Sequence, residues 1–209
     1  LTALGLVSIL VAAAFIVFQR DGKRLLAYSS VEHLGVIALG VGVGGVGAVA
    51  ALWHALNHAV AKPLAFFAVG RLGKLYGTHD LGALAGAARR SVCWGAGFCG
   101  GLLVLIGVAP FAIFMSEFQV LRAAAEARAF EVVALFLVGT AIVFVGALRH
   151  VIGTAWGEAC SAPAPEPVQA MDAGLVGGAL LCLLVLGVWL PVPLANALSA
   201  AAQVIGARP

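Results

Sequence analysis

Residues 48–70 read AVAALWHALNHAVAKPLAFFAVG, and the only fixed charge in the run is Lys62. About 20 mostly apolar residues in a helix cross the roughly 30 Å hydrocarbon core of a bilayer, so this stretch reads as a membrane span. A lysine near the centre of a span costs about 2.5–3.5 kcal/mol on insertion scales, which turns it toward a bundle interior or a watery cavity. His54, His58 and Lys62 recur at i, i+4 and i+8, so they share one helix stripe, with Trp53 and Asn57 beside it. Imidazole and a desolvated amine both exchange protons near neutral pH, so such a ladder can pass protons. The plainer reading has Lys62 snorkelling to the interface and one histidine bonded to a neighbouring helix. A metal at His54 and His58 is the third possibility. The zinc-protease pattern needs a glutamate directly after the first histidine, and Ala55 stands there, so no metal is expected. Pro63 lacks an N–H and crowds the carbonyl of Ala59, which predicts a kink beside Lys62.

The rest of the chain has the same character. Of its 209 residues 63% are hydrophobic and 10% charged, with a mean hydropathy of +1.09. Soluble domains carry about 25% charged residues, so the bilayer is the main partner. The 27 glycines suit close helix packing in lipid. A net charge of +3 gives no reason to propose nucleic acid. Cys93, Cys99 and Cys182 lie in apolar runs and Cys160 in a loop, with no CxxC pair, so no disulfide framework or metal site follows. The first residues show no basic segment or cleavage site of a signal peptide, and the chain reads as part of a longer protein.

Working outward, spans are expected at residues 1–18, 25–43, 48–70, 92–121, 130–148 and 174–190, about six in an all-α integral membrane protein. The stretch 71–91 reads as an interfacial loop or surface helix, residues 163–167 as a linker, and the tail from Pro193 as too short to cross. Alternating sides places Arg20, Lys23, Arg24, Arg71, Lys74, Arg89, Arg90 and Arg149 together, against Arg122, Arg128 and Arg208 opposite. The richer side is expected to be cytoplasmic.

Two further sets of polar residues stand out. Glu117 follows Gly107 and Pro110 inside an overlong apolar stretch, the pattern of a discontinuous helix whose unwound backbone lines a cavity. The alternative makes Glu117 an ordinary interfacial partner of Arg122. Glu32 and His33 lie in the second span. Neighbours on a helix point about 100° apart, which predicts different surroundings for the two.

Three motifs in order carry a resemblance. Residues 21–30, DGKRLLAYSS, are similar to a D-x-K-R-x-L-A-Y-S-S/T segment; residues 54–62 to an H-x-x-x-H-x-x-x-K helix; and Phe114-Met115-Ser116-Glu117-Phe118 to an F-x-S/G-E/K segment. Together they resemble the antiporter-like proton-translocating membrane subunits of respiratory complex I and hydrogenase-4 type complexes. The continuation Val31-Glu32-His33-Leu34-Gly35 looks most like component F of the hydrogenase-4 type.

The resemblance implies that residues 1–160 are the second five-helix inverted repeat of such a subunit, one helix discontinuous, and that 161–209 supply a linker, a final span and a tail. It implies proton translocation through Lys62, Glu117, His58, His54, His33 and Glu32, with Lys23 of the basic segment counted among the relay residues. Partners would be further membrane subunits and a redox arm, in a bacterial or archaeal cytoplasmic membrane. No cysteine spacing for an iron–sulfur cluster and no dinucleotide glycine fingerprint is present, so no cofactor is expected on this chain and redox chemistry belongs to partners. The runner-up is a subunit of a multisubunit sodium/proton antiporter. A purely structural anchor would leave Lys62 and Glu117 as an unexplained insertion cost.

Overall fold

The computed structural model describes residues 1–158 and 168–206, and within these the fold is all-α with nine helices. The linker at 163–167, Cys160 and Arg208 lie outside the described residues. Helix α1 (Thr2–Ile16) and α2 (Gly22–Val43) pack against each other. Their backbones meet at Gly5 and Gly35: a Cβ on Gly35 would stand 2.7 Å from the Gly5 carbonyl oxygen, and one on Gly5 2.6 Å from that of Gly35. Small residues allow this approach, and dispersion between close backbones holds it in a solvent as apolar as the side chains. The second span begins at Gly22 rather than Leu25 because Asp21 caps it, its carboxylate accepting the Arg24 N–H at 2.9 Å.

Helix α3 (Val46–Tyr76) carries Pro63 within its length and ends on Gly77 in the left-handed conformation. The stretch expected as interfacial therefore divides: Arg71–Tyr76 prolong α3 through a buried Gly73 to the left-handed Gly77, and α4 (Ala87–Arg90) is a single turn. The long fourth stretch is two helices, α5 (Val92–Leu105) and α6 (Ala112–Glu126), separated at Gly107 with φ +72°. Then come α7 (Phe130–Trp156), α8 (Ala170–Val188) and α9 (Val192–Gly206). The tail read as too short to cross is thus a helix of 15 residues, packed against α3.

Three helices, α2, α7 and α8, are long and apolar enough to cross a bilayer. The six spans expected do not all meet that measure. The apolar helices α1 and α5 are short, and α3, though 31 residues long, contains Lys62, Arg71, Lys74 and its histidines, which lower its hydropathy.

A fully buried cluster that includes Leu25, Leu26, Leu64, Phe98, Leu102 and Ile113 joins α2, α3, α5 and α6. At one end of the bundle Arg149 donates to the carbonyls of Val17 and Gln19, and Arg89 to those of Trp156 at 2.9 Å and Gly157 at 2.5 Å. The Leu81 N–H donates to the Arg20 carbonyl at 2.7 Å at that same end. Arg20 and Arg149, grouped by the charge count, line one cavity at that end.

Candidate functional site

The stripe on α3 points into the bundle, and α2 and α6 supply what it meets. Lys62 is 7% exposed, and its ammonium donates to the Leu26 carbonyl at 2.6 Å and to the Ser29 hydroxyl, both on α2. Pro63 directly after it does not prevent that reach. Lys62 does not snorkel; it is held inside by two acceptors, which is how a buried ammonium is tolerated.

One turn along α2 from Ser29, Glu32 lies on the same helix side and is also buried. His33 follows, fully buried, and its Nδ1 is the meeting point of three groups: His54 Nε2 at 3.0 Å, Glu32 Oε2 at 3.5 Å and Glu117 Oε1 at 3.9 Å. The expectation that Glu32 and His33 would have different surroundings is corrected. The two flank the line where α2 faces α3 and α6, so both side chains turn into one space despite their 100° separation. The His58 ring stands edge-on to that of His33, with centroids 4.8 Å apart.

His54 continues the file. Its Nδ1 lies 2.9 Å from the Ser116 hydroxyl on α6. That hydroxyl is also 3.0 Å and 2.9 Å from the carbonyls of Ala112 and Ile113, to which it donates its single proton. With its proton assigned to those carbonyls it accepts from His54, an assignment that puts the His54 proton on Nδ1 and has Nε2 accept from His33. The pair is polarised from α2 toward α6. Asn57 ties α3 to the same turn, its amide donating to the Ala112 carbonyl at 2.9 Å.

Glu117 faces this cluster rather than Arg122, which pairs with Glu126 at 2.8 Å. Behind the carboxylate is the break between α5 and α6, and a Cβ on Gly107 would stand 2.6 Å from Glu117 Oε2. A cavity of about 410 Å³, lined by Gly107, Glu117, Phe118, Phe136 and Thr140 among others, opens beside it. Lys62, Glu32, His33, His54, His58 and Glu117 are therefore brought together. Lys23 is not: it is exposed at the start of α2, about 13 Å along the helix axis from Glu32 at 1.5 Å per residue.

Ser29 and Ser116 are the members of the site that spacing did not single out, and Gly107, read only as a helix break, also makes room for the Glu117 carboxylate. Ser29 could have been found as the residue three before Glu32, on its face. Among the described residues one group could also hold a cation: His33, His54 and Glu117 present ligand atoms within 4.8 Å of one another.

A model of the family described as NADH:quinone oxidoreductase/Mrp antiporter, TM matches residues 1–143. The chain belongs to this family. As a member of the NADH:quinone oxidoreductase/Mrp antiporter family it is a multi-pass membrane protein, and the resemblance read from its three motifs holds. It is 37% identical over 159 residues to the hydrogenase-4 component F homolog of Methylacidiphilum infernorum (isolate V4), covering 76% of this chain and 33% of that protein. It is 35% identical over 150 residues to hydrogenase-4 component B of Escherichia coli (strain K12), covering 66% of this chain and 22% of that one. Among solved structures it superimposes on a chain of the membrane-bound sulfane sulfur reductase, an archaeal respiratory membrane complex, with TM-score 0.87 and 28% identity over 98% of this chain and 41% of that one. A chain of respiratory complex I from Thermus thermophilus matches with TM-score 0.84 and 28% identity, over 96% of this chain and 42% of that one. Such family members sit in multisubunit membrane complexes. This chain spans a third or less of the two curated relatives and about two-fifths of the two solved chains.

Proposed function

We propose that this chain carries part of a proton path through a membrane subunit of a hydrogenase-4 or complex I-like oxidoreductase, in a bacterial or archaeal cytoplasmic membrane. In this reading residues 1–160 form a five-helix repeat with a discontinuous helix, part of about six crossings, and 161–209 add a linker, a final span and a tail. The observation that carries it is the file of buried groups from Lys62 through Ser29, Glu32, His33 and His54 to Glu117, drawn from α2, α3 and α6.

A proton leaving Lys62 passes by way of Ser29 to Glu32; His33 first gives its Nδ1 proton to His54 Nε2 or to Glu117, and Glu32 then returns a proton to that nitrogen. His33 serves both His54 and Glu117 from one nitrogen, so a small ring movement chooses between them. The 3.5 Å and 3.9 Å separations are bridged by one water or a side-chain rotation, since polar groups beyond hydrogen-bond distance exchange through an intervening water. Redox turnover in a partner arm would drive the path by changing which proton state of Lys62 and Glu117 is favoured.

A sodium/proton antiporter subunit is the second reading, and the cation-sized group of His33, His54 and Glu117 is the observation in its favour. Two of those three ligands are imidazoles, which suit transition metals, whereas hard cations take oxygen ligands. The group therefore weighs toward protons.

The test uses the intact parent complex in sealed vesicles, with proton uptake measured against redox turnover. Lys62→Ala and Glu117→Gln are expected to abolish uptake while the complex still assembles. Full uptake by Lys62→Ala would sink the relay, and sodium-dependent proton exchange without any redox substrate would favour the second reading.

A further inference from the structure

Three cavities lie along the apolar face of α7 and the basic end of the bundle, neighbours sharing lining residues. At the basic end a cavity of about 400 Å³ is lined by Arg20, Asp80, Arg149 and His150 among others. Arg149 also borders a second cavity of about 410 Å³, with Val17, Ala141 and Val145. Ala141 and Val145 in turn border the cavity that contains Glu117. Neighbouring cavities thus share Arg149, Ala141 and Val145 in their linings, with charged residues at the basic end and mostly apolar ones along α7.

The charge at the mouth is positive on balance, Arg20 and Arg149 standing against Asp80. Asp80 is engaged locally, accepting the N–H groups of Gly82 at 2.8 Å and Ala83 at 3.1 Å. Arg149 is held in place by neutral carbonyls of Val17 and Gln19, and among the described residues neither it nor Arg20 pairs with a carboxylate. The guanidinium of Arg149, bonded also through Nε to His150 at 3.3 Å, is pre-positioned with no carboxylate partner, and its remaining N–H groups can meet a phosphate.

The length also fits. From Arg149 back to Leu137, which borders the Glu117 cavity, α7 rises about 18 Å at 1.5 Å per residue. One leaflet of a hydrocarbon core about 30 Å thick is about 15 Å deep. Val145, 69% exposed, stands on the way.

We propose that these cavities together form a groove that seats one anionic phospholipid, its phosphate between Arg20 and Arg149 and one acyl chain lying along α7 to the cavity beside Glu117. The arginine-rich end faces the cytoplasmic leaflet in the orientation given by the charge count, and that leaflet carries the anionic lipids. The chain closes the apolar side of the Glu117 cavity, so a proton on that carboxylate is shielded from the bilayer side.

The test counts lipids on the intact parent complex by native mass spectrometry after detergent delipidation, followed by exchange with phosphatidylglycerol or phosphatidylcholine. One anionic phospholipid per copy is expected to persist in the wild type and in Arg122→Gln, at the opposite end. It is expected to be lost from Arg20→Gln/Arg149→Gln and from Val145→Trp. The tryptophan variant removes no charge or hydrogen bond, so it answers even where the double variant fails to fold. Equal lipid counts in wild type and Val145→Trp would overturn the proposal. So would one-for-one replacement by phosphatidylcholine, or a disulfide or cross-link from Val145→Cys to another segment of the parent chain lying in the groove. Lipid count does not depend on proton uptake, so the relay and the lipid seat fail separately.

Discussion

Gly107 and Glu117 are matched across the break between α5 and α6: the backbone of Gly107 turns with φ +72°, and the space where its side chain would be is filled by the Glu117 carboxylate, 2.6 Å from an ideal Cβ. One position thus meets two demands, a left-handed turn and room for an acid, and only glycine satisfies both.

Gly107→Ala is accordingly expected to be costly twice. A non-glycine residue at positive φ is strained by about 1–3 kcal/mol, and the methyl pushes the carboxylate away from His33. Gly107→Asn separates the effects, because asparagine tolerates the left-handed region yet still crowds Glu117. Thermal unfolding should recover in the asparagine variant relative to alanine, whereas proton uptake in vesicles should be lost in both. Normal uptake by either would show that Glu117 does not need its position.

Ser116 fixes which nitrogen of His54 carries the proton. With Ser116→Ala, His54 Nδ1 loses its acceptor inside the bundle and the ring is free to flip or change tautomer. An unmet buried donor costs about 1–3 kcal/mol, and a change of that size in a barrier is about a five- to hundredfold change in rate. Proton uptake per redox turnover should fall within that range while assembly is preserved. Ser116→Cys, which keeps a weak acceptor, should lie between. An alanine variant with unchanged uptake would mean that the tautomer of His54 is immaterial.

Lys23 shares a motif with the relay but not its space. Exposed at the N-terminus of α2, it can be replaced by glutamine without breaking any contact described above. Lys23→Gln should leave coupled proton uptake within about twofold of wild type, the effect of altering a surface charge that is screened beyond about 10 Å in 0.1 M salt. A loss as deep as that of Lys62→Ala would mean that the path extends to the surface along α2.

These residues also show what can be read from one sequence. The i, i+4, i+8 spacing of His54, His58 and Lys62 is a property of one helix, so it was legible. So was the broken helix, because Gly107 and Pro110 interrupt an overlong apolar stretch. The partners on α2 and α6 were not legible, since which side chains oppose a stripe depends on packing between helices distant in sequence. Ser29 beneath Lys62 and Ser116 beside His54 are of that kind. The adjacency of Glu32 and His33 even argued for different neighbours. Helix limits moved for local reasons: Asp21 capped α2 early, and α3, which stops only at the left-handed Gly77, ran through three basic or polar residues that composition assigns to an interface.

The packing of α1 on α2 gives a prediction independent of any proton path. Gly5 and Gly35 lie carbonyl against Cα, and each ideal Cβ falls within 2.7 Å of the opposite carbonyl oxygen. The obstruction is backbone on both sides, so no side chain can swing away. Overpacking a close-packed interior costs about 1–3 kcal/mol, and here relief requires the two helices to separate along their whole contact. Separation would also move Ser29 and Glu32, which sit on α2 between Gly35 and the Asp21 cap, away from Lys62. Gly35→Val should therefore lower the unfolding temperature of the complex and, in the fraction that remains assembled, weaken proton uptake. The paired change Gly5→Val should not add a full second penalty, because one separation of the helices relieves both clashes. Strict additivity of the two, measured by thermal unfolding, would show that the helices do not move apart as a unit.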